Sequence, residues 1–592
     1  MDDQERRPVD QTRRGLITRR DLLRRTAFLI GGAALVGPIL EACSPSSPQA
    51  SAPGAATSAP AAATSAPAAA AATSAPAAAA APAVGQPVAG GTLTIGSPQE
   101  PDRIWTPITG LTVAQEVQNL VNGALTSIND KVEYVPDLAT EVPTLENGGI
   151  SQDGLTYTFK LRPGIKWHDG QPFTSKDVKF TYDVIMKDGV QVTGRVGWNN
   201  IASVETPDDS TVVYKFKSLY APFLDIVTQA GILPQHLLDG LSADDINKNK
   251  WFRAPVGVGP YKFKEWVSGS YLSLVKTPDY FKKGQPYPDQ IVYKIVPDAN
   301  ALINQIQTGE ADIRVRLNNS DVATVKGMQN AQVVSVPSVT PWLLWMNNTT
   351  FPFNDKNVRV ALSYATDKAG IANNVLKGLV QPAYGLVSPL SWAYNPDIPK
   401  FAFDQAKAKQ TLDDGGWKVG SDGIREKDGK KLSFEILNIA GEQERVQILS
   451  FIQQQWKQIG VDAQIKMVDV ATMWGNALPK RNYQMAYSYT GRLADPDMSN
   501  HYMSPSKQPA TNFAGYSNPN VDSLLEQALQ TVDRNKRKDL YFKVQQTVAE
   551  DAVYLFLFWL TNHTALNKRV QGYKPAPSYT EYWNADEYWL SK

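Results

Sequence analysis

Between Leu432 and Val470 the chain carries a strand, a helix and a strand in succession, and this order restricts the available folds more than any other feature. "KLSFEILNIA" is predicted as a strand starting at Leu432. In "QERVQILSFIQQQWKQIG", Val446, Leu449, Ile452, Trp456 and Ile459 fall at helical spacing until Gly460 stops the run, and "VDAQIKMVDV" returns as a strand. Such a unit makes its two strands parallel, with a right-handed crossover between them. A sheet of this kind offers ligand sites at the carboxyl ends of its strands. Two more helices are expected at about 521–531 and 536–549, followed by the buried-looking run "AVYLFLFWL", which is shorter than the ~20 residues of a membrane span.

The first half of the chain is richer in strands. "GGTLTIGS", "TVVYKFK", "GPYKFKEW" and "YLSLVKT" alternate apolar and polar residues, and "LTYTFKLRPGIKW" is expected to turn at Pro163-Gly164 into a hairpin. In "NALINQIQTGEADIRV", Leu302, Ile303 and Ile306 share a helical face, Gly309 stops the helix, and a strand follows. The fold class is therefore mixed α/β.

The N-terminal region is of another kind. An Arg-rich stretch ends at Arg25, and the apolar run 27–40 is too short to span a bilayer of ~20 residues, so it fits a signal-peptide core. Arg19 and Arg20, followed by Asp21-Leu22-Leu23, look like a twin-arginine export signal. The single cysteine of the 592 residues, Cys43, follows Leu40-Glu41-Ala42, which resembles a lipobox; Ala42 fits that pattern and Glu41 departs from it. Lipid attachment at Cys43 is the expectation, with a plain structural cysteine as the alternative. One cysteine excludes an internal disulfide and a Cys-rich zinc site. From 44 to about 88 the chain is almost entirely Ala, Pro, Ser and Thr, with "ATSAP" repeated, and lacks the apolar surface to offset ordering entropy. A tether over 44–89 follows, its proline favouring extended polyproline II.

Lys+Arg 59 against Asp+Glu 58 leaves no global field to attract nucleic acid. A hydrophobic content of 42% with 14 Trp can fill several cores, and the length allows roughly two to four domains of about 100–200 residues. Catalytic signatures are missing: there is no H-E-x-x-H, G-x-S-x-G or P-loop pattern, and the four histidines, His168, His236, His501 and His563, are scattered. Gly257 and Gly259 lead into Pro260-Tyr261, which suits a turn into a strand better than a phosphate loop. "DPDMSN" from Asp495 offers alternating oxygens but neither the Gly nor the bidentate Glu of a calcium loop, so no metal or cofactor is expected. Carboxylate pairs of a secreted hydrolase stay open as an alternative, since a sequence cannot set the ~5–9.5 Å separation they need.

Four stretches point to a known family. "VPDLATEVPTLENGGISQDGLTYTFKLRPGIKWHDGQPFTSKDVKFTYD", "VGPYKFKEWVSGSYLSLVKTPDYF", "NALINQIQTGEADI" and "PFNDKNVRVALSYATDKAGIANNVLKG" resemble, in order, the family 5 extracellular solute-binding proteins, the peptide/nickel-type receptors of ABC importers. The likeness runs from about Gly90 to Lys574. It implies a periplasmic-binding-protein-like two-lobed fold (type II, cluster C-like) with an extra inserted domain. Lobe I would comprise 90–126, 251–345 and 566–592, the inserted domain II 127–250, and lobe III 346–565. It also implies a receptor without turnover, which closes on its solute by hinge motion and meets permease subunits. With lipid attachment at Cys43, an exported monomer is expected, lipid-anchored to the outer face of the cytoplasmic membrane or in the periplasm.

The resemblance also nominates ligand contacts. Peptide-binding members carry an aspartate four residues before a proline that meets the peptide's amino terminus; the matching position, before Pro496, is Arg492. A cation there favours a carboxylate, phosphate or hydroxyl-rich solute over an ammonium, unless it only shapes the loop by pairing with Asp495 or Asp497. Tyr489 and Trp474 fall where peptide binders carry pocket tryptophans, and Glu100 matches an acidic position at the cleft border. Asp495, Trp345 and Trp342 complete the candidate set. Aromatic faces suit peptide side chains and sugar rings alike, so a peptide and an oligosaccharide both remain open.

Overall fold

The computed structural model describes residues 85–441, 443–491, 493–508, 512–578 and 580–591. Arg19, Arg20, Cys43, the tether through residue 84 and Arg492 lie outside them. The expected strand-helix-strand unit is present: Ser433–Ile439 and Asp462–Val468 run parallel, Ile436 opposite Ile465, joined by the helix Gln443–Lys457. That helix buries Ile448, Leu449, Ile452 and Trp456, while Val446 is only half-buried. Gly460 ends it at φ 80°, and a Cβ there would meet Arg425 Cγ at 2.8 Å, so conformation and space both favour glycine.

This unit forms one end of an eleven-stranded mixed sheet. The order runs Asp462–Val468, Ser433–Ile439, Met485–Tyr489, Ala331–Met346, Tyr554–Asn567, Ile313–Arg314, Thr92–Ser97, Gln290–Ile295, Tyr271–Lys276 and Tyr261–Val267, with Gln381–Pro382 added to Tyr554–Asn567. The run "AVYLFLFWL" is thus the start of a central strand. It pairs antiparallel with Ala331–Met346, from Ala331 opposite Asn567 to Trp345 opposite Tyr554. One half of the sheet attaches to this pair through Met485–Tyr489 at Trp342 to Met346, the other through Ile313 and Arg314 at Leu566 and Ala565. Between the two attachments the register shifts between Pro337 and Pro341, which have no N–H to give the ladder. The two halves are therefore joined across the least regular stretch of the pair.

Side chains alternate along Ala331–Met346. Trp342, Leu344 and Met346 enter a core with Ile436, Leu449 and Trp456, whereas Leu343 and Trp345 enter another with Leu437, Tyr541 and Tyr554. The 14-residue strand and its 16-residue partner thus serve two layers at once.

A second body forms around a three-stranded sheet in which Thr211–Phe216 lies between Thr156–Lys160 and Ile201–Asp208. The hairpin expected at Pro163-Gly164 does not form. Thr158 pairs instead with Val213, Leu161 N–H donates to Ser210 O, and the chain beyond Gly164 runs as loop. The non-local partner wins because it offers a five-residue ladder with buried Tyr157 and Phe159 on one face. The Phe223 ring packs there on Tyr157, Tyr214 and Phe216 at 5.0, 4.9 and 4.8 Å between centroids. Gly257 and Gly259 are explained by contact: a Cβ on Gly257 would lie 1.9 Å from Val121 O, at the end of the helix Thr112–Val121.

Candidate functional site

Tyr489 closes the strand Met485–Tyr489, and Trp474 lies in the turn Met473–Ala477 that follows the edge strand Asp462–Val468. The two rings meet at 6.3 Å. Phe513 joins them, 6.4 Å from Trp474, and leads to Trp345 at 5.4 Å. Tyr489, Trp474 and Phe513 are half-buried, so each keeps part of a face open, while Trp345 is 1% exposed behind them. His501 stacks on Trp345 at 5.9 Å, and its Nε2 lies 2.7 Å from the Thr490 hydroxyl. The result is an aromatic wall at the carboxyl ends of two strands, able to take apolar or planar groups and, through Tyr489, a hydrogen bond.

Trp342 and Trp345 face opposite sides of the sheet. Trp342 stands on the opposite face of the sheet, between Tyr487 and Tyr489 at 4.9 and 5.3 Å, with the Arg445 guanidinium 5.0 Å over its ring. Tyr489 touches both tryptophan neighbourhoods because it ends its strand.

Asp495 is held in a buried charge knot. Its two oxygens accept from Arg537 Nη1 and Nη2 at 2.8 Å each, and Asp497 N–H donates to one of them. Arg537 also donates to the Tyr541 hydroxyl and to Ala528 O. Burial works against the Arg537 charge, but Asp495 and Tyr541 outweigh it and raise the guanidinium above its ordinary value. The Asp495 N–H, in turn, points at the carboxylate of Asp225, 3.2 and 3.4 Å away.

Glu100 sits beyond the strand Thr92–Ser97 and is clasped by the hairpin Tyr261–Val267 and Tyr271–Lys276. It accepts from Trp266 Nε1, Ser268 Oγ and Gly269 N at 2.8, 2.9 and 3.0 Å, and Arg253 lies 3.6 Å away. Burial pushes its carboxyl up, but these hydrogen bonds and Arg253 together hold it below the usual range. Arg253 in turn covers the Trp266 ring at 3.7 Å.

The structure thus brings Trp474, Phe513 and Trp345 together on one face of the sheet, sets Trp342 beside Tyr489 on the other, links the two groups through the contact of Tyr489 with Trp474, and gives Asp495 and Glu100 close protein partners. Arg492 lies outside the described residues. Phe513, His501, Asp225 and Arg537 were not singled out by sequence reasoning; Phe513 and His501 follow the "DPDMSN" turn without a motif of their own. Among the described residues no group of three or more His, Cys, Asp or Glu side chains could hold a metal ion, and no helix is long and apolar enough to cross a membrane.

Comparison with known proteins agrees on one family. The profile of bacterial extracellular solute-binding proteins, family 5 Middle, matches residues 133–512. The oligopeptide-binding protein AppA of Bacillus subtilis is 33% identical over 515 residues, which is 86% of this chain and 93% of AppA. The solved structure of B. subtilis AppA in complex with a nonapeptide superposes with a TM-score of 0.75 at 32% identity, covering 86% of this chain and 100% of AppA. NikZ from Campylobacter jejuni in complex with Ni(L-His) gives a TM-score of 0.74 at 27% identity, over 84% of this chain and 99% of NikZ. The α/β fold is shared with both.

Proposed function

This chain belongs to the bacterial extracellular solute-binding proteins of family 5, and from that premise we propose that it captures a peptide, or a polar solute of similar size, and delivers it to an ABC permease. The observation that carries the reading is the match to AppA over nearly the whole of both folded chains, one of whose structures holds a nonapeptide. The solute lies against the aromatic wall of Tyr489, Trp474 and Phe513, with Trp345 behind it. Arg492, three residues after Tyr489 in the sequence, supplies a cation for a carboxylate or another anionic group of the solute. Closure of the two halves of the main sheet about the irregular 337–341 stretch buries the solute and stabilises the state that the permease recognises.

Export through the Arg19-Arg20 signal, acylation of Cys43 and the tether over 44–89 fit the same role. They keep a monomeric receptor within reach of its permease by raising its effective concentration there. An oligosaccharide is the second reading, since three half-open aromatic faces stack on sugar rings as readily as on peptide side chains. Native mass spectrometry of the purified full chain, followed by release and sequencing of what leaves with it, tests the proposal. Peptides are expected; a population of sugars alone would overturn it. Arg492→Ala is expected to weaken binding of the recovered solute tenfold or more, and unchanged affinity would leave Arg492 shaping the loop only.

A further inference from the structure

The three-stranded-sheet body is not a bystander to the loop that carries Asp495. Its helix Phe223–Gln229 places Asp225 in the first turn, where the carboxylate accepts the Asp495 N–H at 3.2 Å. Tyr134, from the short strand Tyr134–Pro136, donates its hydroxyl to the same carboxylate at 2.5 Å. One turn earlier, Ala221 N–H donates to Leu529 O at 2.9 Å, at the end of the helix Pro519–Leu529. Apolar contact runs alongside: Leu529 and Val532 pack on the aromatic core around Phe223, and a Cβ on Gly154 would meet Val532 at 2.3 Å. Gly154 has φ 69°, so glycine meets both the backbone and the close approach.

We propose that Asp225 is a positioning residue for solute capture: by accepting the Asp495 N–H it holds the 493–497 loop in its binding geometry from a separate body of the fold. The other side of the loop is already pinned, because Arg537 grips the Asp495 carboxylate with two hydrogen bonds. A segment fixed at both its backbone N–H and its side chain has little freedom left, and the solute then meets a preorganised loop and not one it must order. Charge-assisted bonds of this kind are the stronger class, and this one is half-shielded from water. The inserted body consequently takes part in closure: when it parts from the helix pair Pro519–Leu529 and Arg534–Glu550, the loop loses one of its two restraints.

The capture arm of this inference rests on the function proposed above, so the test reads the loop and the solute separately. In the full chain, amide hydrogen exchange over 493–498 is measured without any peptide, and dissociation of a synthetic nonapeptide library is measured in parallel. Asp225→Ala is expected to speed loop exchange about tenfold and to raise the dissociation rate by a similar factor, with association changed less than about twofold. Asp225→Asn, which keeps an oxygen acceptor, is expected to restore most of both. Leu529→Ala combined with Val532→Ala is expected to loosen the same amides without touching Asp225, which keeps the test alive should Asp225→Ala fold poorly. Wild-type exchange over 493–498 in Asp225→Ala, or in the Leu529 and Val532 double variant should Asp225→Ala not fold, overturns the positioning role whether or not peptide binds. Faster exchange in a protein that binds no nonapeptide leaves the positioning role standing and defeats the peptide reading instead.

Discussion

Tyr489 and Asp495 lie close together in the chain, yet they belong to opposite kinds of surface. Tyr489 ends a strand with part of its ring open beside Trp474, and the wall it belongs to has few polar partners to give up. Asp495 is 8% exposed and has both oxygens committed to Arg537 and Asp497. A solute can add contacts to the first region at little cost, whereas it could reach the second only by breaking bonds already made. We therefore propose the aromatic wall as the place for recognition, and assign the charge knot a scaffolding role that sets where the loop stands.

Breaking the knot has the largest expected effect. Arg537→Ala leaves Asp495 buried without its cation, and such truncations cost about 3–5 kcal/mol; denaturant unfolding of the variant should show that loss. A smaller cost would mean that water enters the knot and that the contrast with the wall is overdrawn.

Lys368 sharpens the same contrast from the other side. It is 7% exposed, and among the described residues its ammonium meets Ala383 O at 3.3 Å and the Tyr384 ring at 4.6 Å and forms no ion pair with a carboxylate. Burial brings its pKa down from 10.5 to about 7. Between those two values the unfolded chain holds the extra proton, so stability should rise with pH across that window, by at most about 1.4 kcal/mol per unit. Lys368→Met is expected to flatten this rise in thermal melts run from pH 7 to pH 10, and to be about 2 kcal/mol more stable at pH 7. A variant with the wild-type slope would assign the dependence elsewhere.

On the wall itself, Trp474→Ala should weaken solute binding by about 1–2 kcal/mol, a five- to thirtyfold change by titration calorimetry, while the melting point of the solute-free protein stays nearly constant. Equal loss of stability would place Trp474 with the scaffold. Glu100→Gln should give the smallest change. Its lowered carboxyl contributes stability above the ordinary glutamate pKa of 4.5 that fades as pH falls through the folded value, so the variant should match wild type in acid and fall slightly behind at neutral pH.

Local pattern carried much of the fold and little of the site. The strand-helix-strand unit, the stop at Gly460 and the helix ending at Gly309 with φ 80° are all settled within one turn or one ladder, where period and glycine chemistry speak directly. The Pro163-Gly164 hairpin failed because the partner of Thr156–Lys160 lies some fifty residues on, and nothing local marks it. Trp342 and Trp345 stand an odd step apart on one strand, so strand period alone already sends them to opposite faces. The partners of Asp495 lie 42 residues away in Arg537 and 270 away in Asp225, on elements whose own motifs say nothing of charge pairing. Sites of this kind are assembled by topology, and a sequence motif marks only one of their edges.

Thermal melting of the full chain against matched panels of nonapeptides and linear oligosaccharides tests the central claim most directly. Peptides are expected to raise the melting temperature by several degrees at concentrations about a hundredfold above their dissociation constant, where linkage supplies about 2.7 kcal/mol, and oligosaccharides to leave it in place. Stabilisation by oligosaccharides alone would contradict the account.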